Sequence, residues 1–291
     1  MHMKKTFMSI CALLLAATML SCSGADSSED IFMFVGSEGI ALSEGASGHA
    51  SPQKYGLHTL SERVELADVS DSVVFPFDNN EYVYWNSECY PKSSDSDEYG
   101  EFYGVFDEYK SEDNRRSVQI LHGTDLFVYY INLDAYEHNK KLPTDKYTDE
   151  EIRAIADDFL QSFVDKSKYE DYSFQVTRKD GVYDVYYTRY IHGHPTDDVI
   201  WITINTKGQI MGYNGRNFGK YEKLADSLSR SSLDKAKEKL ISKVKSMNLD
   251  SLKINYTQVV TNRSGDVFME LGYTYSAGYV EAAEMILVAV K

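Results

Sequence analysis

The second half of the chain repeats one order of secondary-structure signals, and this repeat constrains the fold more than any other feature of the sequence. Thr148 and Glu151 match a helix capping box, and the apolar residues after them recur at steps of three and four. Three strand-like runs follow this helix. A second amphipathic pattern over Leu233–Met247, capped by Ser231 or Ser232, is again followed by three strand-like runs. We therefore predict two successive units, each with one helix and one three-stranded antiparallel sheet.

Strand signals also dominate the residues before the first helix. Runs rich in aromatic and β-branched residues are separated by turn residues such as His122–Asp125. The predicted fold class is therefore α+β, with a β-rich N-terminal module followed by the tandem helix-plus-three-stranded antiparallel sheet units. The predicted boundaries are 52–145 for the β-rich module, 146–222 for the first unit and 228–291 for the second.

Alternation at period two predicts which strand side chains share a face. Before the first helix, Phe127, Tyr129, Ile131 and Leu133 are expected on one face. In Val267–Tyr275 the odd positions are all apolar, so they are also expected to share a face.

The first residues have the pattern of a bacterial secretory signal. Two lysines precede an apolar run at Phe7–Met19, which is shorter than the roughly 20 residues of a membrane-spanning helix. The next residues, Met19–Cys22, resemble the lipobox of bacterial lipoproteins. This resemblance implies a signal peptide over 1–21, cleavage before Cys22, and lipid on that cysteine that anchors the chain to the extracytoplasmic side of the cell membrane. The alternative is an ordinary secretory signal with a chance cysteine.

Composition narrows the choice of partners and cofactors. A net charge of −15 repels phosphate backbones, so nucleic-acid binding is disfavoured and the membrane link must be the lipid anchor. Residues 22–51 are rich in small polar residues and are interpreted as a flexible tether. Of the three cysteines, the lipobox resemblance implies that Cys11 leaves with the signal and that Cys22 carries the lipid. Cys89 alone can form neither an intramolecular disulfide nor a cysteine-based zinc site.

Three motifs in the first helix-bearing unit carry a resemblance to a known family. They are the aromatic strand and turn Tyr187–Pro195 (YTRYIHGHP), the apolar strand Val199–Asn205 (VIWITIN) and the return Lys207–Tyr213 (KGQIMGY). Together they resemble the PepSY domain family, with His192 in place of the usual Asn and His194 in place of an apolar residue. The likeness covers 148–218 and extends more loosely to residue 291. It implies a non-catalytic, cystatin-like α+β module that restrains or binds peptidases outside the cell.

Candidate metal sites are weak in this sequence. His192 and His194 form a His-x-His pattern, and Asp197 or Asp198 could supply a third ligand. The intervening glycine and the following proline instead indicate a hairpin turn. Acidic residues also cluster in a loop, at Asp95, Asp97 and Glu98, but without the ordered spacing of a calcium loop. We therefore predict neither a metal site nor another cofactor.

The sequence carries no catalytic signature. It has no G-x-S-x-G nucleophile motif, P-loop or dinucleotide fingerprint. Cys89 follows Glu88, whose charge opposes thiolate formation. We therefore predict that the chain is not an enzyme.

The 23 tyrosines leave room for a contact surface. Most are expected to cover sheets, while the remainder on an open face could bind protein or glycan. The candidate surface comprises Tyr183, Tyr187, Tyr190 and Trp201.

Three functions remain open from the sequence. The first is an anchored binding lipoprotein that modulates extracellular peptidases, which should expose a long strand edge or loop. The alternative is a solute- or glycan-binding lipoprotein, which should have an aromatic cleft between modules. The third is an envelope enzyme, which should have converging acids of perturbed pKa in a pocket.

Overall fold

Strands make up most of the computed structural model, which describes residues 32–36, 62–90, 104–137, 146–179, 181–262, 264–278 and 280–290. The strands are β1 (Phe32–Gly36), β2 (Glu62–Val64), β3 (Ser72–Phe75), β4 (Asn80–Tyr90), β5 (Gly104–Lys110), β6 (Arg116–Leu121), β7 (Phe127–Asn132), β8 (Ser173–Lys179), β9 (Val182–Ile191), β10 (His194–Asn205), β11 (Ile210–Asn214), β12 (Lys253–Thr261), β13 (Val267–Ala277) and β14 (Val280–Ala289). The α-helices are α1 (Leu133–Glu137), α2 (Asp149–Gln161) and α3 (Arg230–Ser246). Two short 3-10 turns occupy Lys166–Lys168 and Ala225–Ser227.

These fourteen strands are hydrogen-bonded into one sheet within the unit Phe32–Lys291. The order is β1-β14-β13-β12-β10-β11-β7-β6-β5-β4-β2, with β3 beside β4 and with β9 and β8 continuing from β10. The pairing is antiparallel except between β10 and β12, which meet in parallel at the single pair Thr196–Val259.

The prediction of an α+β fold built from tandem helix-plus-sheet units is wrong, because the protein is mostly β and its strands join across the predicted units. β11 pairs with β7, and β10 reaches β12. These pairings occupy backbone groups that two separate three-stranded sheets would leave at open edges. Hydrophobic periodicity indicates the face that a side chain occupies, but it does not identify the neighbouring strand.

One aromatic core lies between α2 and the strands on both sides of the β7–β11 pairing. Phe159 of α2 is fully buried, and its ring centroid lies 6.1 Å from that of Phe75 on β3. It also lies 6.0 Å from Tyr130 on β7 and 5.5 Å from Tyr213 on β11. Edge-to-face and tilted contacts at these separations are favourable for aromatic rings. The helix therefore holds the N-terminal strands and its own strands together.

A second core lies between α3 and the C-terminal strands. Leu233, Leu240 and Val244 of α3 are buried with Met269 and Leu271 of β13. The other odd positions of Val267–Tyr275 contribute to the same core, as the alternation predicts.

The helix starts agree with the capping signals, with one change of residue. Thr148 accepts a hydrogen bond from the Glu151 amide, and the Glu151 carboxylate accepts one from the Thr148 amide, which confirms the predicted capping box. The second of the two predicted helices is α3, which begins at Arg230. Its cap is Ser229 rather than Ser231 or Ser232. Within the described ranges, none of these helices has the length and apolarity needed to cross a bilayer.

A β-bulge overturns the predicted face of β7. The register of β6 and β7 shifts between Gln119 and Ile120, so Phe127 and Tyr130 both face the core. Tyr129 pairs with Gln119 on the other side of the sheet. Leu133 begins α1 and is exposed.

Several predictions fall outside the described residues. They concern the signal segment 1–21, Cys22 and the acidic loop with Asp95, Asp97 and Glu98. Within the predicted tether 22–51, the described part is β1, which pairs with β14.

Candidate functional site

A row of directly paired residues crosses the sheet on the face opposite α2. Paired residues in an antiparallel sheet lie on the same face, so the register defines the row. We call it the outer row, and it runs from β8 to β5 through Gln175, Tyr186, Trp201, Asn214, Tyr129, Gln119 and Glu108. Strands about 4.8 Å apart give the row a length of roughly 29 Å. It places three aromatic residues among polar ones on a single face.

Trp201 lies near the middle of the outer row and is held in a fixed orientation. Its ring is nearly parallel to that of Tyr186, at 9° and 6.2 Å between centroids. The indole Nε1 donates a 3.1 Å hydrogen bond to Asp184 Oδ1, which also accepts a 3.0 Å bond from Thr203 Oγ1. A half-buried indole with its N–H satisfied presents a rigid apolar surface beside a carboxylate.

Arg216 lies over the part of the outer row that β7 and β6 form. Its guanidinium lies 4.5 Å from the ring centroid of Tyr129 and 5.3 Å from that of Tyr90. Its Nε and Nη2 both donate to Gln119 Oε1, at 2.9 and 2.5 Å. The cation–π contacts and hydrogen bonds fix a positive charge against the sheet.

The predicted surface residues divide between the two faces of β9. Tyr183 and Tyr187 are buried in the aromatic core, with Tyr187 only 1% exposed and its hydroxyl bonded to Asp157 at 2.5 Å. These two residues therefore form no exposed surface. Tyr190 is 47% exposed, and Trp201 is half-buried on the outer row.

Tyr186 is the surface residue that sequence reasoning missed. It lies in the same tyrosine cluster, but alternation alone does not determine which parity faces water. The pairing of Tyr186 with Trp201 resolves that choice, and pairing is visible only in the structure.

β8 is an edge strand in the described part of the sheet. It pairs with β9 along all seven of its residues, and no described strand pairs with its other side. Phe174 and Val176 pack against the aromatic core, which holds the strand in place. Arg178 bonds to the Asp149 carboxylate and to the Tyr147 carbonyl at the start of α2. We call the side of β8 that faces away from β9 its second edge. The strand that carries this edge is held in place by these contacts.

Three buried acids gather where β10 meets β12, and we call this group of Asp197, Asp198 and Glu270 the acid junction. Asp197 lies 2.7 Å from Lys220 Nζ and accepts a 2.5 Å hydrogen bond from the Tyr221 hydroxyl. The side-chain amide of Asn217 donates to the Asp197 backbone carbonyl at 3.1 Å. Asp197 is therefore a buried carboxylate with a paired cation and hydrogen-bond donors.

The other two acids, Asp198 and Glu270, have a raised pKa, and burial is the largest cause in both. Burial raises the pKa of Asp198 to about 7, although its carboxylate accepts bonds from the Tyr172 hydroxyl at 2.9 Å and the Gly219 amide at 3.2 Å. Burial likewise raises the pKa of Glu270 to about 7, against the opposing bond from Gln258 at 2.9 Å. Perturbed acids of this kind occur in active sites and also in structural networks. Here all three are buried away from dissolved molecules.

The two histidines of the His-x-His pattern contact different groups. His192 and Gly193 have φ of +50° and +87°, the geometry of a two-residue type I′ hairpin turn. His192 Nε2 lies 2.7 Å from the Leu228 carbonyl, whereas His194 Nε2 lies 2.9 Å from Asp234 Oδ1. Among the residues that the structure describes, no three His, Cys, Asp or Glu side chains are placed to hold a metal ion. Cys89 is buried and forms no disulfide in the part of the chain that the structure describes.

A comparison with known families gives a match over part of the chain. Residues 80–217 are similar to the family described as the YcdB, YcdC repeated domain. The matched segment begins with β4 and ends just after β11, so it includes strands on both sides of the β7–β11 pairing together with α1 and α2. It covers less than half of the chain. No curated protein matches the chain.

Proposed function

We propose that this chain is a non-catalytic lipoprotein, anchored through lipid on Cys22 on the extracytoplasmic side of the membrane, that binds and modulates extracellular peptidases. The observation that carries the proposal is the second edge of β8, which no described strand covers. This is the kind of exposed strand edge that a peptide-binding module requires. The partner contributes an extended segment that adds to the sheet as a further strand.

Strand addition follows from the backbone of β8. Along an antiparallel strand, N–H and C=O groups point alternately to the two sides, so about half of them face away from β9. An extended peptide can satisfy these groups with main-chain hydrogen bonds, while side-chain contacts provide specificity. Phe174 and Val176 pack against the aromatic core and hold β8 in place before a partner arrives, which reduces the entropy lost on binding.

Two further observations support a binding role without catalysis. The two acids whose pKa burial raises to about 7, Asp198 and Glu270, are buried in the acid junction, so dissolved substrate has no direct contact with them. The resemblance of 148–218 to the PepSY family favours a peptidase as the partner. The peptidase partner belongs to this proposal alone, since the family model that matches residues 80–217 is described as the YcdB, YcdC repeated domain and not as PepSY.

The test is a pull-down from the native cell envelope with residues 23–291 as bait and mass spectrometry as the readout. The edge variant carries Gln175→Lys and Thr177→Lys, because lysines on an edge strand oppose further strand pairing. The matched control carries Ser242→Lys and Ser246→Lys, which add the same charge on the exposed side of α3. We expect the parent and the control to recover a secreted or membrane peptidase whose activity changes when the bait is added.

The edge variant should lose this peptidase. Recovery of the same peptidase by the edge variant would show that β8 is not the binding edge. Recovery of no peptidase by the parent would overturn the proposed function itself.

A further inference from the structure

We propose that the outer row around Trp201 is a binding site for neutral oligosaccharides. It lies on the face of the sheet, whereas the proposed peptide site is the edge of β8. The proposal therefore does not depend on the peptidase function.

The aromatic side chains of this face come from four different elements. Tyr186, Trp201 and Tyr129 lie on β9, β10 and β7, within the outer row. Tyr136 of α1 is 45% exposed. Its hydroxyl oxygen lies over Gly212 of β11, 3.6 Å from the position that a Cβ atom would take there. Tyr136 therefore lies beside the row at β11. Because the Arg216 guanidinium lies over the Tyr129 ring, the apolar area open to the C–H faces of sugar rings is centred on Tyr186, Trp201 and Tyr136. Rigid rings of this kind bind with little loss of conformational entropy.

Asp184 supplies the polar group that a sugar requires. Its Oδ1 accepts both bonds that fix Trp201 and Thr203, at 3.1 and 3.0 Å. In the described part of the chain, Oδ2 accepts no hydrogen bond, so it is available to a ligand hydroxyl beside the indole. A few fixed polar groups next to apolar surface are typical of small-ligand sites, because the polar groups orient what the apolar surface holds.

Charge decides against other ligands of similar shape. The chain carries a net charge of −15, and Asp184 places a carboxylate beside Trp201. Two cations of this face, Arg216 and Lys110, lie at the end of the row formed by β7, β6 and β5, where Lys110 pairs with Glu108 at 3.7 Å. Phosphorylated or uronic-acid polymers would be repelled, whereas a neutral sugar brings no charge and donates hydroxyl hydrogens to carboxylate oxygens. A peptide is less suited to the face, because its main-chain groups would find no strand edge there.

The chain has two tryptophans, and this makes the test direct. Trp85 lies on β4, is 55% exposed and is covered by Lys110 Nζ at 4.0 Å from its ring centroid. Trp85→Phe therefore leaves Trp201 as the only indole. We expect hexamers of β-1,4-linked glucose or N-acetylglucosamine to change the emission of this variant saturably, and Trp201→Phe to abolish the change in the otherwise unaltered chain.

Affinity variants complete the test. Tyr186→Ala and Asp184→Asn should weaken binding about tenfold or more, equal to losing about 1.4 kcal/mol of binding free energy, while Trp85→Ala should bind as the parent does. Circular dichroism of each variant confirms that it is folded. Sedimentation with purified cell wall is a second arm that distinguishes a wall polymer from a free sugar.

Binding in either arm that requires Trp201 supports the proposal. An unchanged Trp201 emission together with no sedimentation, or equal binding by parent and Trp201→Phe, would overturn it. A Trp201 response to unstructured peptides but not to sugars would also overturn it, because the site would then bind peptide.

Discussion

Lys220→Met tests whether the acid junction holds the C-terminal strands to the rest of the sheet. Lys220 Nζ lies 2.7 Å from Asp197 Oδ2, and the Asp197 side chain is fully buried. β10 and β12 pair in the described sheet at Thr196–Val259, and the Tyr221 hydroxyl lies both 2.5 Å from Asp197 Oδ1 and 3.0 Å from the Val259 carbonyl, so the network that contains this ion pair reaches β12. Removing the cation leaves the carboxylate in a medium of low polarity.

The expected loss follows from that burial. Breaking a buried ion pair by removing one partner costs about 3–5 kcal/mol of unfolding free energy. The Tyr221 hydroxyl still donates to Asp197 Oδ1 at 2.5 Å, and it keeps the carboxylate partly satisfied. We therefore expect a loss near the lower limit, about 3 kcal/mol.

The assay is urea unfolding followed by circular dichroism, with an unchanged m-value as the condition for comparison. With an m-value of about 3 kcal/mol/M, the midpoint should fall by about 1 M. Lys168→Met is the matched control, because Lys168 and Glu222 lie 3.4 Å apart with roughly half of each side chain exposed. An exposed pair of this kind contributes about 0–1 kcal/mol. Equal losses in the two variants would show that the Lys220–Asp197 pair is no more important for stability than an exposed ion pair.

Three other predictions concern the acid junction, the aromatic core and the cap of α2. Burial raises the pKa of Asp198 and Glu270 to about 7, so between about pH 4 and 7 the folded chain keeps protons that the unfolded chain has released. Stability should therefore fall as pH rises through this window, and Asp198→Asn and Glu270→Gln should each flatten a plot of urea midpoint against pH; equal slopes in parent and variants would contradict this. Phe159→Ala should cost about 3–5 kcal/mol in urea unfolding, because the ring joins strands from both sides of the β7–β11 pairing, and a loss below 1 kcal/mol would be inconsistent with that role. Thr148→Ala should cost about 1 kcal/mol, whereas Thr148→Ser should retain most of the cap; equal losses would show that the hydroxyl does not act as the cap.

Local chemistry made parts of this structure predictable from sequence. The capping box at Thr148 identified the start of α2, since a hydroxyl and a carboxylate three residues apart satisfy free amides without help from distant residues. The turn at His192 and Gly193 was also visible, because Gly193 and Pro195, two residues apart, separate two strand-like runs. The odd positions of Val267–Tyr275 were assigned correctly because one side of β13 packs against a helix.

Long-range pairing was not predictable in the same way. The join of β11 to β7 depends on residues more than 80 positions apart, and no local pattern encodes it. The β-bulge at Gln119 inverted the assignment of Tyr129, since one extra residue exchanges the two faces of a strand. The outer row has the same origin, because Tyr186 and Trp201 become neighbours only through strand register.

The most direct test of the proposed function is hydrogen exchange of β8 with and without the peptidase recovered from the cell envelope. We expect the amides of Ser173–Lys179 that point away from β9 to exchange rapidly in the free chain. These amides, about half of those in the strand, should become protected on binding, while those bonded to β9 stay protected throughout. Unchanged exchange in β8, with new protection elsewhere in the chain, would show that the peptidase does not bind at this edge.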